Sequence, residues 1–136
     1  MTLSVIDLSD RSHQPMVDET LGLSLVFNGA IYNYQALRAE LIEAGYSFFS
    51  EGDTEVIIKA FHYWGERCVE RLHGMFAFAL HDMAAGELVL GRDRLGIKPL
   101  FYAVLPDRVI FGSEIKALLP LMPARPGVCP EALLQF

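Results

Sequence analysis

The chain has 136 residues, of which 52% are hydrophobic and 21% are charged, so it can bury the core of one folded domain. Its formal net charge of −6 argues against a surface that binds the phosphate backbone of nucleic acid. No stretch reaches the ~18 apolar residues of a membrane span, and no basic segment leads into an apolar one near the N-terminus. The sequence therefore predicts neither a membrane anchor nor a signal peptide.

The first half of the chain is predicted to contain short strands. Apolar runs typical of buried strands lie at Leu3 to Asp7, Leu23 to Phe27 and Tyr46 to Phe49. The second of these runs is predicted to end in the turn pair Asn28-Gly29, because this pair is a common way to end a strand.

Two further segments have apolar residues at the spacing of an amphipathic helix. One runs from Tyr34 to Ala44 and is stopped by Gly45. The other begins at Asp53, which is predicted to be its N-cap, and ends at Gly65. A short helix around Cys68 to Leu72 is predicted to follow.

The second half is predicted to contain two hairpins. In the first, Met75 to His81 pairs with Glu87 to Arg92 across an Ala-Ala-Gly turn. In the second, Leu100 to Val104 pairs with Arg108 to Phe111 across Pro-Asp. Ser113 is predicted to cap a last helix before a proline-rich linker. Hairpins with helices gathered in blocks predict an α+β layered fold rather than a doubly wound parallel sheet.

The pair Asn28-Gly29 is the first candidate site. An Asn amide and a neighbouring glycine N–H at the end of a buried strand can donate to the oxyanion that forms in acyl transfer. The alternative is a turn without any chemistry.

Asp53 is the second candidate. Its carboxylate could hold the ammonium group of an amino-acid substrate, and the alternative is an N-cap that stabilises the helix by roughly 1 kcal/mol. The two roles are compatible, since a capping carboxylate keeps further acceptor positions.

The remaining polar residues do not form a recognisable centre. The charged segment Arg92 to Leu100 has no glycine-rich loop leading into a helix, so we interpret it as a connection pinned by Arg–Asp pairs. The four histidines show no metal-ligand spacing, which predicts no metal site. Cys68 and Cys129 show no paired spacing, which indicates a reduced, cytoplasmic compartment.

Several blocks of sequence, taken together, occur in the order and spacing of one family. They are Leu3 to Asp7, His13 to Met16, Phe27 to Asn33, Gly52 to Val56, Gly74 to Ala79, Arg92 to Leu100 and Ser113 to Leu118. Over nearly its whole length the chain closely resembles the class II glutamine amidotransferase domain of glutamine-hydrolysing asparagine synthetases.

The resemblance implies an N-terminal-nucleophile hydrolase-like fold, a four-layer αββα sandwich of antiparallel sheets. In that family an N-terminal cysteine attacks the side-chain amide of glutamine. The resemblance implies that Asn28 and Gly29 stabilise the oxyanion and that Asp53 holds the α-ammonium group of L-glutamine. The rest of the glutamine pocket is implied to lie at Leu3, Ser4, Val5, Ile6 and Ala30. No cofactor is implied in this domain, whereas ATP and Mg belong to a C-terminal synthetase domain that receives the ammonia.

The chain departs from the family pattern at three points. The opening segment with the cysteine has no counterpart, Thr2 stands where the family has a substrate-gripping arginine, and Ala30 stands where asparagine synthetases usually have Glu. We therefore expect residues 1–119 to be an amidotransferase domain truncated at its N-terminus, and 120–136 to be a linker and the start of the synthetase domain. The expected partners are the missing N-terminal strand and the synthetase domain, with a homodimer left open. We expect the chain alone to hydrolyse no glutamine.

Four alternatives remain open. The context of Asn28-Gly29-Ala30 is also similar to relatives that amidate an acylated dipeptide osmolyte. Another class II enzyme, such as a phosphoribosylamine or hexosamine-phosphate amidotransferase, is a second alternative, although the helix from Ser113 followed by a proline linker favours the asparagine synthetase branch. A non-catalytic module for domain contacts is the third. The fourth is an N-terminal threonine nucleophile, Thr2, although this residue aligns with the arginine and not with the cysteine.

Overall fold

The computed structural model describes residues 14–124 and Gly127, and the chain divides into two compact units, Met1–Pro99 and Leu100–Phe136. The strand predicted at Leu3 to Asp7, and with it the implied pocket residues Leu3 to Ile6, lies outside the described residues. Most of the predicted linker also lies outside them. Among the described residues, no helix has the length and apolar character needed to cross a bilayer.

Among the residues that the structure describes, the first unit is built on a four-stranded antiparallel sheet. Its strands are β1 (Met16–Asp18), β2 (Leu23–Ile31), β3 (Gly74–Asp82) and β4 (Glu87–Arg92), and they lie side by side in that order. The sheet combines the predicted hairpin β3–β4 with β2, which pairs with β3 over its whole length. The hairpin is therefore confirmed, and its long partner strand is β2.

One face of this sheet carries the core. Leu25 of β2 lies opposite Leu80 of β3, and Phe27 lies opposite Phe78, and all four side chains are buried. Because side chains alternate between the two faces of a strand, these residues share a face while Asn28 lies on the other.

Two helices in the described part of this unit also contribute to the core. They are α1 (Tyr34–Glu43) and α2 (Asp53–Trp64), followed by a 3₁₀ turn at Gly65–Glu70. Gly45 and Gly65 follow the helices with φ of 98° and 64°, a backbone region that favours glycine, so both predicted stops are confirmed. The fully buried apolar helix residues are Leu41, Val56, Ile57, Ile58 and Ala60.

Three local predictions in this unit are wrong. The strand β2 does not end at Asn28-Gly29 but continues to Ile31. The segment Tyr46 to Phe49 has no strand structure, although its side chains include aromatic rings packed on the core. Asp53 is the first residue of α2, and Gly52 occupies the N-cap position instead.

The second unit contains a hairpin of β5 (Phe101–Val104) and β6 (Val109–Gly112), as predicted, and a short helix α3 (Ile115–Leu118). Glu114, not Ser113, occupies the N-cap position of α3, so that prediction is displaced by one residue. The helix packs on the hairpin closely enough that a Cβ on Gly112 would lie 3.1 Å from Leu118 Cδ1. With antiparallel sheets and helices gathered in blocks, the α+β class is confirmed.

Candidate functional site

Gly29 allows two strands to approach more closely than any other residue would permit. It lies opposite Phe76 of β3 with φ of 150°, and a Cβ at this position would lie 2.1 Å from the carbonyl oxygen of Met75. A real Cβ cannot come that close to a backbone oxygen, so a side chain here would force β3 away. The glycine is therefore required by the strand pairing, in addition to any role of its N–H group.

Asn28 carries a buried polar atom that has no hydrogen-bond partner among the described residues. Its Oδ1 is shielded from solvent and accepts no hydrogen bond from the part of the chain that the structure describes. Such orphaned atoms are rare in folded proteins and each requires an explanation. Since the two ends of a side-chain amide have nearly the same shape, a rotated amide would present its NH₂ group at the same place. A bound polar group at Asn28 would satisfy either orientation.

Asp53 is joined to the end of the strand that carries Asn28. Its Oδ2 accepts a hydrogen bond of 2.9 Å from the backbone N–H of Ile31, and the side chain is buried. The residue opens α2, where the helix dipole favours a negative charge. The structure therefore places Asp53 at the end of β2, the strand that carries Asn28, Gly29 and the buried Ala30.

Gln14 is a residue near this site that the pattern analysis did not single out. Its Oε1 accepts a hydrogen bond of 2.8 Å from the N–H of Phe27, directly before Asn28. The strand β1 begins only at Met16, so the Gln14 side chain satisfies a backbone donor of β2 beyond the β1 pairing. The block His13 to Met16 in the family pattern was the one signal that pointed to this residue.

The segment after β4 is pinned to the backbone and not by Arg–Asp pairs, so that prediction is wrong. Asp93 accepts hydrogen bonds from the N–H groups of Phe76, Ile97 and Lys98 at 3.2, 2.9 and 3.0 Å. Arg92 donates to the carbonyl oxygens of Gly96 and Lys98, both at 2.7 Å. Arg92 and Asp93 thus bind backbone groups of a segment without regular secondary structure, and the N–H of Asp93 donates to Phe76 O of β3 at 2.8 Å.

The hydrogen bonds of Asp93 also fix its charge. Burial alone would raise the pKa of this carboxyl, but the backbone N–H groups of Lys98, Ile97 and Phe76 outweigh burial and lower it. Asp93 is thus held as a carboxylate beside β3, the strand that pairs with Gly29.

A buried charged cluster lies on the other side of α2, and the sequence analysis missed it. Lys59 Nζ contacts Asp18 Oδ2 at 2.9 Å and Glu55 Oε1 at 3.0 Å. Burial would raise the pKa of Asp18, but the hydrogen bonds from Lys59 and from the N–H of Leu21 lower it on balance. The spacing of Glu55 and Lys59, four residues apart on a helix, was a signal for half of this cluster.

Cys68 does not have the environment of a nucleophile. The side chain is fully buried, and burial raises the pKa of its thiol to about 11, so almost no thiolate is present at neutral pH. Within the described residues no group of three or more His, Cys, Asp or Glu side chains is arranged to hold a metal ion.

Comparison with known proteins identifies the family. The sequence model of the glutamine amidotransferase domain matches residues 1–136. The chain belongs to this family. Among curated relatives, asparagine synthetase (glutamine-hydrolysing) 3 of Bacillus subtilis is 42% identical over 119 residues, which cover 86% of this chain and 19% of the relative. Asparagine synthetase 1 of the same organism is 41% identical over 117 residues. Amidase chry2 of Gibberella zeae is 38% identical over 117 residues. The chain thus spans about a fifth of the length of these proteins.

Solved structures agree on the fold. Glutamine phosphoribosylpyrophosphate amidotransferase from B. subtilis superposes with a TM-score of 0.68 at 23% identity, over 82% of this chain and 27% of that chain. A structure described as the allosteric regulatory enzyme of purine biosynthesis gives 0.61 at 25% identity, over 71% of this chain and 22% of that one. The N-terminal-nucleophile hydrolase-like fold implied by the family resemblance is therefore confirmed.

Proposed function

We propose that this domain binds L-glutamine with its side-chain amide at Asn28 and Gly29 and its α-ammonium group at Asp53. The observation that carries the proposal is the buried Oδ1 of Asn28, which lacks a partner among the described residues. A glutamine side-chain amide offers a donor and an acceptor next to each other, so it complements the two ends of the Asn28 amide.

The contact to Asp53 follows from charge and position. The carboxylate is buried at the start of α2 and is tied to Ile31, near the Asn28 end of β2. A carboxylate can accept several hydrogen bonds, so the bond from Ile31 is compatible with a further contact to an ammonium group. A charge-assisted hydrogen bond between this buried carboxylate and a ligand ammonium group is stronger than a bond to a neutral donor.

The reaction that this arrangement supports is hydrolysis of the glutamine amide. A thiol gives up its proton as its sulfur adds to the amide carbon, and the carbonyl oxygen becomes an oxyanion held by Asn28 and the Gly29 N–H. The proton passes to the amide nitrogen, the C–N bond breaks, and ammonia leaves with formation of a thioester. Water then releases glutamate from the thioester. The family resemblance implies an N-terminal cysteine as the nucleophile, and Cys68 does not fit that role because its thiol is buried and protonated.

In the whole protein, we propose, the ammonia is used by a synthetase region that adenylates a carboxylate with ATP and Mg²⁺. The support comes from the names of the relatives, two of which are glutamine-hydrolysing asparagine synthetases above 40% identity. We accordingly propose that aspartate is the acid and that the enzyme is cytoplasmic. Ala30 departs from the pattern of asparagine synthetases, which usually have Glu at this position. A homodimer is the remaining partner expectation, and sedimentation of the whole protein tests it.

Calorimetric titration of the full 136-residue chain with L-glutamine tests the proposed site. We expect binding, and we expect Asp53→Asn to weaken it about tenfold or more because the ammonium contact loses its charge. Asp107→Asn is the matched control, since this carboxylate is exposed in the second unit. If Asp53→Asn and Asp107→Asn bound glutamine with equal affinity, the assignment of Asp53 would be wrong.

A further inference from the structure

Glu55 binds the segment that leads into α2. Its carboxylate accepts hydrogen bonds from the N–H of Phe49 at 3.0 Å, from the N–H of Ser50 at 2.7 Å and from the hydroxyl of Ser50 at 2.7 Å. Glu55 is fully buried and Ser50 is nearly so, with 0% and 3% of their surfaces exposed. The helix therefore holds the chain that precedes it through a side chain of its own first turn.

Ser50 is held from a second direction as well. Its carbonyl oxygen accepts a hydrogen bond of 2.7 Å from Arg38 of α1. Two residues separate Ser50 from Asp53, and Asp53 is itself tied to Ile31. Both ends of this short connection are therefore held by other parts of the chain. This restricts the position and orientation of the Asp53 carboxylate.

Lys59 contacts the buried carboxylate of Glu55. A carboxylate without a countercharge would be costly there, and the contact of 3.0 Å to Lys59 Nζ provides one. Lys59 also reaches Asp18 at the end of β1, so the cluster joins the helix to the sheet. The charge on Glu55 in turn strengthens its hydrogen bonds to the backbone, since charge-assisted bonds are about twice as strong as neutral ones.

We infer that Glu55 is a positioning residue for the glutamine site: by binding Phe49 and Ser50, it sets the place of Asp53, which holds the α-ammonium group. The inference rests on the proposed function. Through Asp53, the buried Asp18–Lys59–Glu55 cluster then favours the binding of α-amino acids over ligands without the ammonium group.

Two variants test this role by weakening the contacts of Glu55 to different extents. Glu55→Gln keeps the shape of the side chain but removes its charge, and Ser50→Ala removes only the hydroxyl bond. Tyr46→Phe is the matched control, because it removes a hydrogen bond between the same loop and the same helix, at His62 and far along α2 from Asp53. Ser50→Ala is the variant to rely on if Glu55→Gln fails to fold.

The readout is a ratio of two dissociation constants in the full chain. One ligand is L-glutamine, and the other is glutaramate, the same molecule with hydrogen in place of the α-ammonium group. We expect wild type to prefer L-glutamine, and the preference to fall about threefold to tenfold in Ser50→Ala and further in Glu55→Gln. Tyr46→Phe should keep the ratio of the wild type. A merely structural role would lower both affinities together and leave the ratio unchanged.

A second measurement does not depend on glutamine. The N–H of Ile31 donates to Asp53, so its hydrogen-exchange protection in the ligand-free chain reports the position of that carboxylate. We expect Ser50→Ala to lower this protection relative to Tyr46→Phe.

The outcomes separate the inference from the proposed function. If Asp53→Asn leaves the ligand ratio unchanged, or wild type binds neither ligand, the proposed function fails and the inference fails with it. If Asp53→Asn removes the preference while Ser50→Ala and Glu55→Gln retain it, only the inference is overturned. Ile31 protection that is equal in Ser50→Ala and Tyr46→Phe would also overturn it.

Discussion

Replacement of Gly29 by alanine should destabilise the first unit strongly, because two separate costs meet at this position. The new Cβ would lie 2.1 Å from Met75 O and 2.8 Å from Phe76 Cα, both backbone atoms that cannot rotate away. Overpacking of this kind costs about 1–3 kcal/mol. A non-glycine residue at φ of 150° adds strain of about 1–3 kcal/mol. The sum lies between about 2 and 6 kcal/mol, and we expect about 4 kcal/mol.

Two other glycines separate these costs. A Cβ at Gly74 would lie 2.1 Å from Ala30 O without a positive φ, so Gly74→Ala measures the close contact and should cost about 1–3 kcal/mol. Gly86 has φ of 69° and no atom within 4 Å of a Cβ, so Gly86→Ala measures the backbone strain and should cost about 1–2 kcal/mol.

Denaturant unfolding of the three variants and wild type gives the free energies, by linear extrapolation of each transition. The expected order of destabilisation is Gly29→Ala first, then Gly74→Ala, then Gly86→Ala. The reasoning is refuted if Gly29→Ala costs no more than Gly86→Ala, because then the close pairing of β2 with β3 would not be what requires a glycine at position 29.

Three further predictions concern the site and the buried titratable groups. In a version of the protein supplied with an N-terminal cysteine, Asn28→Ala should lower kcat for glutamine by roughly a hundredfold with little change in KM. In the same background, Asp53→Asn should chiefly raise KM. Steady-state kinetics in which both variants change kcat and KM in the same way would contradict the two roles. Because the pKa of Asp93 is lowered in the folded state, its carboxylate stabilises the fold above the ordinary pKa of about 4, and this stability is lost as pH falls. Asp93→Asn should therefore lose less stability between neutral and acidic pH than wild type does, and an identical pH dependence in unfolding experiments would count against this. In a Cys129→Ser background, Cys68 should react with a thiol reagent at neutral pH only as fast as the protein opens, and rapid native-state labelling would show that its thiol is not buried.

Local patterns were sufficient for much of the fold. The helices α1 and α2 follow from apolar residues at helical spacing and from the stops Gly45 and Gly65, all of which are properties of neighbouring residues. The two hairpins follow in the same way from short apolar runs around turn residues. The candidates Asn28, Gly29 and Asp53 were also visible in the sequence, and the family resemblance grouped them before any contact between their elements was known.

Tertiary structure decided the local conformation wherever the backbone groups of a segment hydrogen-bond to a distant part of the chain. Asn28 and Gly29 have the sequence of a turn, but β3 offers Ala77 and Phe76 as partners, so β2 continues through them. The segment from Tyr46 has the composition of a strand, but the N–H groups of Phe49 and Ser50 are bound by the Glu55 carboxylate and not by a neighbouring strand. No local pattern contains these partners, because they lie several residues to several tens of residues away and are brought near only when the sheet and helices pack.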